Sequence, residues 1–153
     1  MLVQDIMTHG VRTVSEDTPL MEVASLMVLY RFSGLPVVDE ANMLVGFIAE
    51  KDILAELFPS VEEAMEGMAS IDFSAKASEY GLIMDKAVAQ LMTRGTKSIE
   101  PDMPILKAAV IMANNRFRRI PVAKNNHLLG MLSLGDVHKA LFHKCLTAKK
   151  QAG

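Results

Sequence analysis

The chain has 153 residues, half of them hydrophobic, a formal net charge of −2 and one cysteine, Cys145. This length corresponds to one domain or two very small ones, and the lone cysteine excludes a disulfide scaffold and favours a reducing compartment, so we expect a cytoplasmic protein. No apolar run is long enough to span a membrane, and the N-terminus has no secretion signal, so we expect neither membrane insertion nor export.

The first half of the chain predicts a β-α-β-β-α order of elements. A short extended stretch at Arg12–Val14 precedes a helix that opens with Pro19 at its first position. Apolar residues at helical spacing then form a stripe, namely Leu20, Val23, Ala24 and Met27. Two short apolar runs flank the polar turn 39–42 and predict a hairpin, and a second helix is expected around Asp52–Phe58.

The segment 59–85 is an acidic insertion that neither half of the chain requires. Ser60 and Glu63 have the spacing of a capping box, and Val61, Ala64, Met65 and Met68 share one helical face. Either this insertion is a solvated excursion packed on the edge of the fold, or it is a surface for a partner.

The second half repeats the first at an offset of 85 residues, which becomes 84 after a one-residue deletion in the turn, and this predicts the same elements again. The extended stretch is Lys97–Ile99, the first helix opens at Pro104, the turn is Lys124–His127 and the second helix lies around Asp136–Leu146. The matching pairs include Met7-Thr8 with Met92-Thr93, Arg31-Phe32 with Arg116-Phe117, Pro36-Val37 with Pro121-Val122, Gly46 with Gly130, and Asp52 with Asp136. We therefore expect an α+β fold with repeat 1 at 1–58, the insertion at 59–85, repeat 2 at 86–146 and a flexible tail at 147–153.

The repeat gives the net charge an internal structure. Residues 1–85 contain four basic and fifteen acidic residues, whereas residues 86–153 contain twelve basic and three acidic ones. An anionic ligand is therefore expected to prefer surfaces from the second half.

Enzyme chemistry is not expected. The four histidines, His9, His127, His138 and His143, do not have the spacing of metal ligands, and no histidine lies near Cys145 in a pattern that would activate the thiol. The glycine-rich motifs of P-loop and dinucleotide-binding enzymes are absent from the sequence. We therefore predict no catalytic residues, no metal and no obligatory cofactor.

Ser133-Leu-Gly-Asp136 is the most informative short motif, because it lies between a predicted strand and a predicted helix. A helix N-terminus favours phosphate, the Ser133 hydroxyl can donate to it, and Asp136 can accept hydrogen bonds from ribose hydroxyls. The alternative is an ordinary helix cap made by the same two residues.

The doubled pattern resembles the CBS-domain family, whose paired copies are called Bateman modules. The resemblance covers nearly the whole chain and rests on three motifs and an aspartate, each present in both copies. The motif pairs are Ile6-Met-Thr8 with Leu91-Met-Thr93, Ser33-Gly-Leu-Pro-Val37 with Arg118-Arg-Ile-Pro-Val122, and Val45-Gly-Phe-Ile48 with Leu129-Gly-Met-Leu132. The aspartates are Asp52 and Asp136. It implies a sensor that binds AMP, ADP, ATP or S-adenosylmethionine between its copies and commonly pairs into a homodimer.

The resemblance implies two ligand sites, each joining the aspartate motif of one copy to the entry and pre-proline segments of the other. In site one, Asp136 would hold ribose, Ser133 phosphate, and Val11, Leu132 and nearby backbone the adenine. The full set for site one is Val11, Arg12, Thr13, Ser33, Gly34, Leu35, Pro36, Leu132, Ser133 and Asp136, and that for site two is Asp52, Thr96, Lys97, Ser98, Arg118, Arg119 and Pro121.

Site two departs from the family pattern, because Ala49 stands where a hydroxyl is expected and Glu50 adds a carboxylate. Arg118 and Arg119 can compensate by gripping phosphate, or they are simply surface charges at a strand edge. Site one is thus the better formed of the two, while site two is the more basic.

The leading interpretation is a regulatory module that binds an adenosyl ligand and passes a conformational signal to an effector protein. A structural dimerisation module with empty sites is the alternative, since the 12 methionines suit an adaptable interface. Nucleic-acid binding by the basic half is disfavoured, because that half has no interleaved aromatic residues.

Overall fold

The computed structural model describes residues 1–152, which form two compact units. Unit 1 combines residues 1–12, 40–44 and 97–152, and unit 2 combines residues 13–39 and 45–96. The leading segment of each sequence repeat therefore belongs to the unit that contains the body of the other repeat. Charge separates in the same way, with eleven basic and five acidic residues in unit 1 against five basic and thirteen acidic residues in unit 2.

After the leading extended stretch, the helices and strands of both repeats follow the predicted order, so the α+β repeat architecture is confirmed. In chain order they are α1 (Val3–Ile6), α2 (Leu20–Tyr30), β1 (Gly34–Val38), β2 (Leu44–Ala49), α3 (Glu50–Leu54), α4 (Val61–Met65), α5 (Phe73–Ser78), α6 (Tyr80–Ile83), α7 (Val88–Leu91), β3 (Thr93–Arg94), α8 (Ile105–Asn114), β4 (Arg119–Lys124), β5 (His127–Ser133) and α9 (Leu134–Ala152). Single 3₁₀ turns cover Ala55–Leu57 and Met68–Ser70.

Unit 2 has its core between α2 and a three-stranded sheet in the order β1-β2-β3. The predicted stripe is confirmed, since Leu20, Val23 and Met27 of α2 are buried, with Ala24 packed against the same cluster. Pro19 is the residue before the helix and has an extended ψ of 144°, so the helix begins one residue later than predicted. Pro104 before α8 has the same geometry, because a fixed proline φ suits the cap as well as the first turn.

Unit 1 repeats this plan with α8 packed on the antiparallel pair β4-β5. The pair runs from Arg119 opposite Ser133 to Lys124 opposite His127, with one irregularity between Val122 and Ala123. Asn125 and Asn126 close the hairpin with φ of 50° and 66°, the left-handed values that a two-residue turn requires and asparagine tolerates. The predicted turn is therefore confirmed.

The predicted first strand of each repeat is only a single residue pair. Val14 forms a parallel bridge with Val37 in unit 2, and Ile99 forms one with Val122 in unit 1. Each bridge is held by two backbone hydrogen bonds of 2.9–3.1 Å. A short apolar stretch can dock beside a sheet without extending its ladder, which sequence alternation alone does not reveal.

The segment that leads each repeat docks against a strand that contains a glycine. In unit 1 the N–H and carbonyl of Thr8 exchange hydrogen bonds of 2.8 and 3.0 Å with Met131, beside Gly130. In unit 2, β3 pairs with β2 so that Gly46 lies opposite Arg94. These pairings complete each unit and were not predicted.

The two hairpin turns also meet, within unit 1. The Asn42 side-chain amide donates to the Leu128 carbonyl at 3.0 Å, and the Asn126 amide donates to the Leu44 carbonyl at 2.8 Å. Backbone N–H groups of Leu44 and Leu128 donate back to the carbonyls of Asn126 and Asn42 at 2.8 and 3.1 Å. Equivalent asparagines thus make equivalent contacts.

Three helices differ in extent from the predictions. Helix α3 covers Glu50–Leu54 instead of Asp52–Phe58, and a 3₁₀ turn follows it at Ala55–Leu57. Helix α9 continues to Ala152, beyond the predicted end near Leu146 and through most of the segment expected to be a tail. In the insertion the Ser60–Glu63 capping box is confirmed, with bonds of 3.1 and 3.4 Å, but α4 ends at Met65. Gly67, with φ of 99°, interrupts the helix, so Met68 lies in a separate turn.

The end of the insertion is anchored in unit 2. Ile83 and Met84 are buried in its core, and the N–H of Met21 donates to the Met84 carbonyl at 3.2 Å. Within the insertion, the Lys76 ammonium lies 3.2 Å from the Glu63 carboxylate. No helix within residues 1–152 is both long and apolar enough to cross a membrane.

Candidate functional site

The motif Ser133-x-x-Asp136 forms the N-terminal turn of α9 in unit 1. The N–H of Ser133 donates to Asp136 Oδ2 at 2.9 Å, and the N–H of Asp136 donates to Ser133 Oγ at 3.0 Å. The N–H of Leu134 donates to the Arg118 carbonyl at 3.0 Å. The cap that sequence offered as an alternative is therefore present.

This cap leaves several polar groups available. Within residues 1–152, Asp136 Oδ1 accepts no hydrogen bond, and Gly135, the second residue of α9, has one of the N–H groups that a helix N-terminus leaves without an intrahelical partner. Ser133 Oγ uses a lone pair in the cap, so its proton is still free to be donated. A free N–H, a hydroxyl donor and a long helix favour an anion, while the second carboxylate oxygen favours hydroxyl groups.

The equivalent turn in unit 2 retains only half of this arrangement. The N–H of Ala49 donates to Asp52 Oδ2 at 2.8 Å, and the N–H of Glu50 donates to the Ser33 carbonyl at 2.9 Å. Ala49 has no side-chain oxygen, so the reciprocal bond and the hydroxyl donor are both missing. The exposed Glu50 adds a negative charge to the first turn. The carboxylate is kept, but the anion-binding character is weaker.

The predicted site residues are distributed over both units. Unit 1 contains Val11, Arg12, Leu132, Ser133 and Asp136 of site one, and Lys97, Ser98, Arg118, Arg119 and Pro121 of site two. Unit 2 contains Thr13, Ser33, Gly34, Leu35 and Pro36 of site one, and Asp52 and Thr96 of site two. Within unit 2, the Ser33 carbonyl joins the pre-proline segment to the turn at Asp52; within unit 1, the Arg118 carbonyl does the same at Asp136.

Burial divides these residues into two classes. Leu35 and Leu132 are 2% and 0% exposed and belong to the cores of their units, and Pro36 and Pro121 are buried as well. The Leu132 side chain is fully buried in the core of unit 1, and the adenine-binding role expected for it stays a prediction. By contrast, Arg12, Ser33, Ser98 and the pair Arg118-Arg119 are exposed or partly exposed.

The cations of the predicted second site are all in unit 1. Arg118 and Arg119 form no ion pair within the described part of the chain, and Lys97 donates to Asn115 Oδ1 at 2.6 Å. The guanidinium groups thus remain available to an anion. No cluster of histidine, cysteine and carboxylate side chains suited to a metal occurs among residues 1–152.

Sequence reasoning missed the two carbonyls that receive the helix N–H groups, because backbone contacts have no residue signature. It matched Gly10 with Gly95 in the repeat but gave them no role, although they have φ of 62° and 64° and immediately precede the entry segments of the predicted sites. A glycine at the same place in both repeats was the available signal, since a left-handed turn there favours glycine.

A family model described as the CBS domain matches residues 3–59 and 88–143. The protein MJ1426 of Methanocaldococcus jannaschii is 31% identical over 92% of this chain and 91% of its own length. The CBS domain-containing protein YhcV of Bacillus subtilis is 28% identical over 88% of this chain and 81% of its own length.

The crystal structure of CBSX2 in complex with AMP superposes with a TM-score of 0.71. It is 28% identical to this chain and covers 93% of it, and the match spans 96% of that structure. A second crystal structure of CBSX2, from Arabidopsis thaliana, superposes on this chain with a TM-score of 0.73 and is 27% identical to it.

Proposed function

Because the chain belongs to the CBS-domain family, we propose that it is a regulatory module that binds an adenosyl ligand and signals by changing conformation. The observation that carries the proposal is the α9 turn, where Ser133 and Asp136 leave a hydroxyl donor and a carboxylate oxygen without protein partners in the described chain, beside the helix-terminal N–H of Gly135. Support comes also from the relative CBSX2, whose crystal structure is a complex with AMP.

The proposed roles follow from this chemistry. Asp136 Oδ1 accepts from the ribose hydroxyls, and Ser133 Oγ and the Gly135 N–H donate to a phosphate or another electronegative group of the ligand. Thr13, Ser33 and Gly34 complete site one as the family resemblance implies. Among the candidates AMP, ADP, ATP and S-adenosylmethionine, a phosphate-bearing ligand best suits this set of donors.

Site two is proposed as the weaker site for a short ligand and the stronger one for a long anionic tail. Asp52 supplies the carboxylate, while Ala49 supplies no donor. Arg118 and Arg119 add two guanidinium groups, which bind extended phosphate chains in a bidentate manner.

Isothermal titration of AMP, ADP, ATP and S-adenosylmethionine tests the proposal with Asp136→Asn and its matched control Asp52→Asn. Asparagine keeps one oxygen for the Ser133 N–H but loses the charge, so the helix cap survives. We expect Asp136→Asn to weaken AMP, the short ligand assigned to site one, by roughly 10- to 100-fold, the value of a hydrogen bond to a charged group, and Asp52→Asn to weaken it less. Wild-type affinity in the Asp136→Asn variant would remove site one.

We also propose that the chain pairs with a second copy through the outer faces of α2 and α8. Helix α2 exposes Met21, Val28 and Leu29 by 58%, 81% and 72%, and α8 exposes Leu106 and Val110 by 59% and 58%. Apolar faces of this kind are typical of protein interfaces. Val28→Glu should shift the protein toward monomer in sedimentation velocity, with Lys124→Gln, an equal charge change on an exposed residue outside both helices, as the control.

The same faces favour the second candidate function, a structural dimerisation module without a ligand. The two functions differ in one measurement. A regulatory module melts at a higher temperature with saturating nucleotide, since a ligand that binds only the folded state stabilises it. A melting temperature unchanged by all four ligands favours the structural function.

We propose that the module has no catalytic activity and is located in the cytoplasm. It acts on an effector protein that responds to the conformation of the module. MJ1426 and YhcV consist largely of the part that matches this chain, which leaves little room for a catalytic domain in those relatives. Because a ligand shifts an equilibrium only through different affinities for two states, the effector must bind one ligand state better. Affinity capture with and without nucleotide tests this step.

A further inference from the structure

The distal part of α9 is a basic helix with an apolar row and no protein cover. Val137 of the proximal part is buried, and Leu134, Ala140 and Leu141 pack on the core of unit 1, but every residue from 142 to 152 is exposed. These eleven residues extend the helix by about 16 Å beyond its support. Phe142 and Leu146, one helical turn apart, are 55% and 40% exposed.

The charges on this part of α9 are of one sign. After Asp136 the helix contains no acidic residue, and Lys144, Lys149 and Lys150 form no ion pair within residues 1–152. A basic amphipathic helix with an exposed aromatic residue binds an acidic surface that has apolar residues of its own.

The insertion in unit 2 has the complementary chemistry. Val61 and Met65, one turn apart on α4, are 77% and 83% exposed, and Met68 is 62% exposed. Glu62 and Glu66 flank this apolar row and form no ion pair in the described chain. The neighbouring Glu63 is instead engaged by Lys76, so it is not part of the free acidic set.

We propose that the distal part of α9 in one copy docks on the insertion of a second copy. Phe142 and Leu146 then cover Val61, Met65 and Met68, while Lys149 and Lys150, which lie beside this apolar row on α9, face Glu62 and Glu66. In a two-fold dimer the contact occurs twice, because each copy provides both surfaces. This contact is additional to the proposed pairing through α2 and α8 and does not require it.

Charge reversal on each surface tests the contact by sedimentation velocity. The first variant is Lys149→Glu with Lys150→Glu, and the second is Glu62→Lys with Glu66→Lys. Either variant alone should raise the dimer dissociation constant roughly tenfold or more, since each reversed charge acts twice. The matched control for the lysine variant, Lys51→Glu with Lys124→Glu, makes the same change of net charge on exposed residues elsewhere and should leave the constant unchanged.

Mixing the two reversed variants separates a contact between copies from one within a chain. In the mixed dimer, one of the two contacts joins two wild-type surfaces and the other joins two reversed surfaces. Both contacts therefore pair opposite charges. Native mass spectrometry should show hetero-dimers in excess over either homodimer. Far-ultraviolet circular dichroism confirms that each variant is folded, and Lys149→Gln with Lys150→Gln at the helix end provides a milder version. Unchanged dissociation constants in the reversed variants, or no preference for hetero-dimers, would overturn the proposal.

Discussion

Substitution of Gly130 by alanine tests the docking of the leading segment in unit 1. A methyl group on Gly130 would overlap the Thr8 carbonyl oxygen and lie 3.3 Å from Met7 Sδ. The obstacle is backbone, so it cannot rotate away as a flexible side chain would. The leading segment must therefore move, and the adjacent Thr8–Met131 hydrogen bonds must lengthen or break.

The cost has two parts. Overpacking against a fixed neighbour costs about 1–3 kcal/mol, and each lost backbone hydrogen bond costs about 1 kcal/mol. We expect the free energy of unfolding to fall by about 2–4 kcal/mol in urea denaturation. Hydrogen exchange should accelerate at the Thr8 and Met131 amides, which donate to each other's carbonyls.

A matched control separates this effect from glycine replacement in general. Gly81 lies in α6, and no atom lies within 4 Å of the position that an added methyl group would occupy, so Gly81→Ala should be neutral or stabilising by up to about 1 kcal/mol. In unit 2, Gly46→Ala brings its methyl group to 2.6 Å from the Thr93 carbonyl oxygen and should resemble Gly130→Ala. Stability of Gly130→Ala within about 0.5 kcal/mol of wild type, with exchange unchanged, would refute this reasoning.

Three further outcomes follow from named contacts. Ala49→Ser supplies an acceptor for the Asp52 N–H and should raise the free energy of unfolding by about 0.5–1 kcal/mol in urea denaturation. A variant no more stable than wild type would contradict this prediction. Asn42→Ala loses an amide bond at a φ of 64°, so it should destabilise the fold by more than Asn42→Gly, which loses only the bond; equal losses would contradict this. The hydrogen bond from Lys76 lowers the pKa of Glu63. The ionised Glu63 therefore stabilises the fold above the ordinary glutamate pKa, and this stabilisation disappears as the pH falls through the lowered value. Lys76→Gln should raise the pKa of Glu63 in an NMR titration, and an unchanged titration would contradict the assignment.

The repeat made most of the fold predictable. It located equivalent helices and hairpins, and the buried faces at Leu20 and Ile105 follow directly from helical periodicity. Turn chemistry placed the hairpin at Asn125 and Asn126, since few residues other than glycine tolerate left-handed φ values. These features depend on residues close together in sequence, where local preference is informative.

Features that join distant segments were not predictable in the same way. Nothing in the residues near Thr8 indicates that it pairs with Met131, and the termination of α4 reflects one glycine at position 67. A repeat identifies which positions are equivalent, not which ones touch. Once one contact is known, however, the equivalent contact can be inferred, as Gly46 beside Thr93 follows from Gly130 beside Thr8.

The candidate site shows why a cap and a ligand contact need not exclude each other. From the sequence, Ser133 and Asp136 are either a helix cap or ligand contacts. In the structure, Asp136 Oδ2 and a lone pair of Ser133 Oγ form the cap, while Asp136 Oδ1 and the Ser133 hydroxyl proton stay available to a ligand. The cap thereby fixes both groups in position before a ligand arrives, which reduces the entropy lost on binding. Removing the Asp136 side chain altogether would therefore change stability and affinity together, and only a substitution that keeps one oxygen, such as asparagine, can separate the two effects.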